Sequence, residues 1–298
     1  MPPTTMAAAA AAAAATTATS TTDSGSNMDA LIFQRLHPKA YLERFLGKGF
    51  RPDGRRTADW RDLSFNVGSI STAHGSALVR LGDTTVVAGV KAEIAEPDLD
   101  VPTRGFIVPN LDLPAICSPK FKPGAPSDEA QVLSSRLYDL LISCEVLPLD
   151  SLCIQPAKAV WCIYIDIMCV NYDGNVYDAT VAAVIAALRN TRLPKATFNE
   201  ETSTTMCSRT ELVPLSLQRL PLTLTFGAFD SLHLLADPTS FEEPMLDATL
   251  TVAIDESGQM WSMQQEGLMQ IGERNSQFVV QECVQAAQQR RAQIQIPT

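Results

Sequence analysis

No stretch constrains the fold of this chain more than residues 159–188, AVWCIYIDIMCVNYDGNVYDATVAAVIAAL. Residues 159–170 alternate as a strand, with Trp161, Ile163, Ile165, Ile167 and Cys169 on one face and Cys162, Tyr164, Asp166, Met168 and Val170 on the other. Both faces are largely apolar, which predicts a central strand covered on both sides. A tight turn holding Asp173 and Asp178 follows. The spacing of Val181, Val184, Ile185 and Leu188 then predicts a buried helix over 178–190, ending before Pro194. A strand that runs through an acidic turn straight into an apolar helix requires a layered domain mixing sheet and helix.

The flanking sequence supplies the layers. Residues 62–94 read as a β-meander, LSFNVGSI, GSALVRLG and TTVVAGVKAEI, with a tight hairpin at Gly82-Asp83. Residues 104–117 add an extended piece, and 119–126 form a basic, Pro/Gly-rich loop. Ser127 is placed to cap the next helix, with Asp128 and Glu129 in its first turn and Leu133, Leu137, Leu140, Leu141 and Cys144 as its buried stripe. LPLTLTF, EPMLDATLTVAID and QMWSM read as a second set of strands, and SQFVVQECVQAAQQRRAQ as a closing helix. The expected class is α+β, built in two halves, 51–195 and 196–298. Ahead of them lie a helical segment over 28–50, broken at Pro38, and a turn at RPDGR. Residues 1–27, with nine alanines in a row at Ala7–Ala15, are expected to be a disordered Ala/Thr/Ser-rich tail. With no Lys or Arg before Arg35, that tail does not read as a signal or transit peptide.

Composition removes several function classes. Apart from the alanine tract, no apolar run is long enough to span a membrane. The seven cysteines include no CxxC pair, and the three histidines are scattered. The cysteines therefore read as reduced, buried small hydrophobes, and neither a metal site nor a cofactor is expected. A net charge of −10 argues against a protein that grips nucleic acid alone. Any contact with RNA is local, and the candidates are Arg104 and the loop residues Lys120 and Lys122.

RPDGRRTADWRDLSFNVGSISTAHGSALVRLGDTTVVAGVKAE, VPNLDLPAICSPKFKPGAP and the 161–188 stretch, in this order, resemble the RNase PH family, and within it the ring subunits of eukaryotic exosomes. The resemblance implies a sheet-and-helix domain of the ribosomal protein S5 second-domain kind followed by a smaller α/β half. It implies a hetero-hexameric ring of RNase PH-type subunits, cap proteins with OB and KH domains above it, and RNA passing through the assembled channel. It also implies residence in the nucleus, nucleolus and cytoplasm.

Active members of that family cleave RNA from the 3′ end with phosphate, using a Gly-Thr-Arg turn at a helix N-terminus and an acidic segment before a late strand. A helix N-terminus offers free N–H groups to an anion, and arginine adds charge. Here the turn reads Asp173-Gly174-Asn175-Val176-Tyr177-Asp178, so Val176, Tyr177 and Asp178 are degenerate phosphate-site positions. Tyr177 falls where the arginine would, and Asp178 is expected to cap the helix. A carboxylate about 4 Å from the anion would repel it by roughly 1–4 kcal/mol in a wet site. Pro244 falls in the column of the catalytic acid, with Glu242, Glu243 and Asp247 nearby. No catalytic residue is expected, and the chain reads as a silent ring subunit. The alternative is an active phosphorolytic exoribonuclease using Asp173, Asp178 or Asp247. An acid inside an apolar strand is costly unless paired, so Asp166 is expected to bond an arginine or a backbone N–H, or to face a neighbouring subunit; the alternative is a catalytic acid.

Overall fold

The structure, a computed structural model, describes residues 30–199, 204–268 and 276–297. The expected tail over 1–27 lies outside the described residues. The chain divides into two units between Thr57 and Ala58. In the first, helix breaks at His37 and resumes as α1 (Pro38–Leu46), with Pro38 in the first turn, where its missing N–H costs nothing. Tyr41 packs on Phe45 with ring centroids 4.9 Å apart, and the Arg44 guanidinium lies 4.5 Å over Phe33. Leu42 and Leu46 are buried, whereas Leu31, Ile32 and Leu36 are exposed. The turn at 51–55 forms as expected, with Gly54 at a left-handed φ of 87°.

In the second unit, β1 (Leu63–Val67), β2 (Gly75–Leu81), β3 (Thr84–Ala95), β6 (Ala159–Asn171) and β4 (Phe106–Asp112) lie side by side in that order, and β5 (Cys153–Gln155) also pairs with β6. Only β4 runs parallel to β6. A second, antiparallel sheet has the order β10 (His233–Ala236), β9 (Leu222–Phe229), β11 (Ala248–Ile254), β12 (Met260–Gly267). Between the sheets lie α2 (Asp128–Ser143), against β4 and β12, and α3 (Val176–Asn190), against β2, β3 and β9. The closing helix α4 (Ser276–Gln293) covers the far side of the second sheet. Its stripe Val279, Cys283 and Ala287 packs with Leu224, Phe226, Leu250 and Val252. The layers are sheet, helices, sheet, helix, and this explains why α3 is buried at nearly every position from Val176 to Leu188. Ser127 caps α2 as expected, its side chain accepting from Ala130 N at 3.2 Å.

Four expectations change. The strand 159–170 is central, but its second face is covered only in part: Trp161, Ile163, Ile165, Ile167 and Cys169 are buried on one face, while on the other Cys162 is buried and Tyr164, Asp166, Met168 and Val170 are exposed. α2 and α3 lie on the same side of the sheet, so neither covers its other side. Asp166 therefore faces solvent between Gly89 and Asn110 and has no burial to compensate. A ribbon that the sequence reading missed, β7 (Arg192–Asn199) paired with β8 (Thr204–Pro214), spans residues 195 and 196. Its strands contain Pro194 and polar residues and show no clean alternation. Finally, all seven cysteines are free, but Cys207 is exposed and Cys153 half-buried rather than packed. No helix among the described residues is long and apolar enough to cross a membrane.

Candidate functional site

The turn between β6 and α3 is held by side chains that converge from distant parts of the sequence. Gly174 has a φ of 76° and Asn175 one of 50°. A Cβ on Gly174 would lie 2.4 Å from the backbone nitrogen of Ser240, so this contact admits only glycine. Arg61, just before β1, grips Asp237 with both ends of its guanidinium: Nε donates to Oδ2 and Nη2 to Oδ1, each at 2.8 Å. Arg61 Nη1 also donates to the carbonyl oxygen of Asp173 at 2.7 Å. Thr84 Oγ1 donates to the Gly174 carbonyl at 2.8 Å, and Ser240 Oγ donates to Asp173 Oδ1 at 2.7 Å. Asp237 is fully buried and Arg61 nearly so. Burial works against the Arg61 charge, yet the pairing with Asp237 outweighs it and raises its pKa.

Asp178 does not cap the helix. The helix begins at Val176, Asn175 is the N-cap residue, and its side chain makes no capping bond. Asp178 lies one turn in and points across to the second sheet, where it accepts from Thr225 N at 2.8 Å, Thr225 Oγ1 at 3.0 Å and Asn175 Nδ2 at 2.8 Å. Burial pushes its carboxyl up to about 6; the bonds from Asn175 and Thr225 hold it back, and the Asp237 charge adds to the rise. The helix start arrives two residues earlier than the sequence suggests because Asn175 adopts a left-handed backbone, which asparagine tolerates.

Beside this turn opens a cleft of about 790 Å³, lined by Lys120, Arg136, Val176, Tyr177, Glu243 and Pro244 among others. The structure thus brings together three of the four degenerate positions, Val176, Tyr177 and Pro244, with one RNA-contact candidate, Lys120. Asp178 faces a separate hollow with Trp60 and Arg61. Arg104 borders another hollow, beside Glu145 and Asp150, and Lys122 is exposed on the loop. The three basic candidates therefore do not form one patch.

The cations and the helix-terminal amide in the cleft are already engaged. Lys120 Nζ pairs with Glu129 at 2.8 Å and lies 5.2 Å over the Tyr172 ring. Arg136 pairs with Glu266 of the second sheet. The N–H of Asn175 donates to Glu243 Oε1 at 2.7 Å, and the Tyr172 hydroxyl donates to the other carboxylate oxygen of Glu243. Burial raises the Glu243 pKa, with the bonds from Tyr172 and Asn175 and the Lys120 charge opposing it. Of the carboxylates considered for an active enzyme, Asp173 is tied to Arg61 and Ser240, Asp178 to Thr225 and Asn175, and Asp247 is exposed. No group of three His, Cys, Asp or Glu among the described residues is arranged to hold a metal ion. The sequence reading missed Arg61, Thr84 and Asp237 as site-forming residues. The signal for Arg61 is its position immediately before the first strand.

Residues 59–194 match the 3′ exoribonuclease family, domain 1, and residues 219–290 match the 3′ exoribonuclease family, domain 2. The chain belongs to the 3′ exoribonuclease (RNase PH) family. It is 43% identical over 226 residues to the exosome complex component rrp43 of Schizosaccharomyces pombe, covering 76% of this chain and 83% of that protein. It is 37% identical over 219 residues to the exosome complex component Rrp42 of Thermococcus gammatolerans, covering 74% and 80%. Its fold superposes on a chain of the Archaeoglobus fulgidus exosome with RNA bound to the active site, with a TM-score of 0.74, 32% identity and coverage of 86% of this chain and 97% of that one. The RNase PH-type α+β fold expected from the sequence is the fold observed.

Proposed function

We propose that this chain is a ring subunit of an exosome core that supports assembly and an RNA channel for 3′-to-5′ processing and decay without phosphorolytic activity of its own. The observation that carries this reading is the state of the cleft. Where a phosphate needs an arginine and open N–H groups it meets Val176, Tyr177 and Pro244. The nearby cations are spent on Glu129 and Glu266, and the Asn175 N–H is taken by Glu243. A phosphate dianion would have to displace a carboxylate while facing acidic neighbours, and the Coulomb terms oppose that.

On this reading its partners are other RNase PH-type subunits in a hetero-hexameric ring, with OB- and KH-domain cap proteins above, and its compartments are the nucleus, nucleolus and cytoplasm. RNA contact through Lys120, Lys122 or Arg104 is sequence-blind and weakens with salt. The test is to incubate the purified, folded chain with 5′-labelled single-stranded RNA, Mg²⁺ and phosphate, beside an active homologue. No shortening is expected. Phosphate-dependent shortening that Asp178→Ala abolishes overturns the proposal and restores the active-enzyme alternative.

A further inference from the structure

The hydroxyl of Thr223 is buried without a hydrogen-bond partner among the described residues. The residue sits on β9 and is only 4% exposed. Strand alternation puts it on the same face as Thr225, whose N–H and Oγ1 both bond Asp178. Thr223 and Asp178 meet at the hollow beside Trp60 and Arg61, which has a volume of about 20 Å³. The Thr223 hydroxyl is near enough to favour the Asp178 charge, but it does not bond the carboxylate directly.

The Asp178 carboxylate has capacity to spare as well. Among the described residues, Thr225 N and Asn175 Nδ2 donate to Oδ2, and Thr225 Oγ1 donates to Oδ1. A carboxylate accepts about four hydrogen bonds, so Oδ1 has room for one more donor. A buried polar atom left without a partner is costly. A hollow holds a water when it offers roughly 10–15 Å³ or more and at least two polar partners. This one has the volume for one water, with an open acceptor and an open hydroxyl on its walls. It is too small for a phosphate or an organic molecule. A metal cation in it would be repelled by the Arg61 guanidinium, since Arg61 lines the same hollow.

We propose that this hollow is a built site for one ordered, long-lived water, which donates to Asp178 Oδ1 and completes the hydrogen bonding of Thr223 Oγ1. The inference is independent of the ring-subunit reading. It adds a second link between α3 and β9 to the direct bonds that Thr225 makes. A bridge of this kind is nearly as good as a direct hydrogen bond. It also gives Thr223 a task that valine, of nearly the same shape, could not perform, in a strand where Leu222, Leu224 and Phe226 are buried and apolar.

The experiment is a crystal structure of the full chain at a resolution that shows ordered water, joined to oxygen-17 relaxation dispersion of the solvent, which counts long-lived internal waters in solution. The expected result is a water within about 3 Å of both Thr223 Oγ1 and Asp178 Oδ1. Thr223→Val removes the hydroxyl at nearly constant shape, and thermal melting checks that the variant folds. It should lose one long-lived water per molecule, and the same position should be empty in its crystal. A dry hollow with ordered walls in the wild-type chain overturns the proposal. So does a Thr223 hydroxyl turned to bond Asp178 directly, or density with the contacts of a metal ion. A variant that keeps every long-lived water overturns it too. If the variant does not fold, the wild-type crystal alone decides between the bridge and the dry hollow.

Discussion

Replacing Arg61 by methionine tests whether the β6–α3 turn is held by charge. Methionine keeps the apolar stem and removes the guanidinium that bonds Asp237 twice and the Asp173 carbonyl once. Asp237 is fully buried, so its charge would be left in a low-dielectric interior, with Asn175 Nδ2 at 2.7 Å and the backbone N–H of residue 61 at 3.1 Å among the donors still in place. Breaking a buried pair by removing one partner costs about 3–5 kcal/mol. These remaining bonds place the expectation near the lower end, about 3 kcal/mol, or a fall in Tm of about 6–12 °C for a unit of this size. Urea unfolding followed by tryptophan fluorescence reads this directly, since Trp60 is adjacent in sequence and meets the Phe226 ring edge-on at 5.2 Å. Asp237 has a φ of 50°, which asparagine accepts, so Asp237→Asn removes the charge without backbone strain. In the double variant the orphaned charge is gone. Arg61→Met should then cost at least about 1 kcal/mol less than it does in the wild-type background. A single-variant loss below about 1 kcal/mol, or costs that simply add, would refute the argument that charge holds the turn.

Two further tests address the same turn. Because Asp178 titrates near 6 in the folded chain and near 4 when unfolded, the folded state binds more protons between those values. Stability should therefore fall as pH rises from about 4 to about 6, by up to roughly 3 kcal/mol from this group, and Asp178→Asn should flatten that slope, read from urea midpoints across the range. Glu243 is shifted in the same direction and leaves a residual slope. Gly174→Ala forces a Cβ to within 2.4 Å of the Ser240 nitrogen at a left-handed φ, and should lower stability by at least about 2 kcal/mol in the same assay.

The sequence was legible where one element carries its own signal. The capped helix α2, the hairpin at Gly82-Asp83 and the closing helix Ser276–Gln293 fall where local chemistry places them. It was less legible where the outcome depends on what lies opposite. The apolar outward face of β6 reads as buried because alternation reports hydrophobicity, not the presence of a covering layer. Asp178 reads as a cap because an acid near a helix start usually is one. Its actual partners, Thr225 N and Oγ1, lie 47 residues further along and carry no pattern of their own. Arg61 and Asp237 are separated by 176 residues, so only the fold reveals that they meet.

On the proposed reading, restoring one residue would not restore a phosphate site. Tyr177→Arg supplies the missing guanidinium, but Glu243 still holds the Asn175 N–H at 2.7 Å, and its charge stays beside any incoming anion. At about 4 Å that repulsion is worth roughly 1–4 kcal/mol, or about five- to several-hundred-fold in affinity. Tyr177→Arg alone should therefore bind inorganic phosphate no better than millimolar in calorimetric titration. Tyr177→Arg with Glu243→Gln should bind at least about fivefold tighter, because the amide neither repels the anion nor competes for the N–H as strongly. The new arginine also has Glu266 within the same cleft and would be drawn to it, so the double variant remains weaker than a site built for phosphate. If Tyr177→Arg alone binds as tightly as the double variant, Glu243 is not what closes the seat, and the silence proposed for the cleft comes down to one side chain.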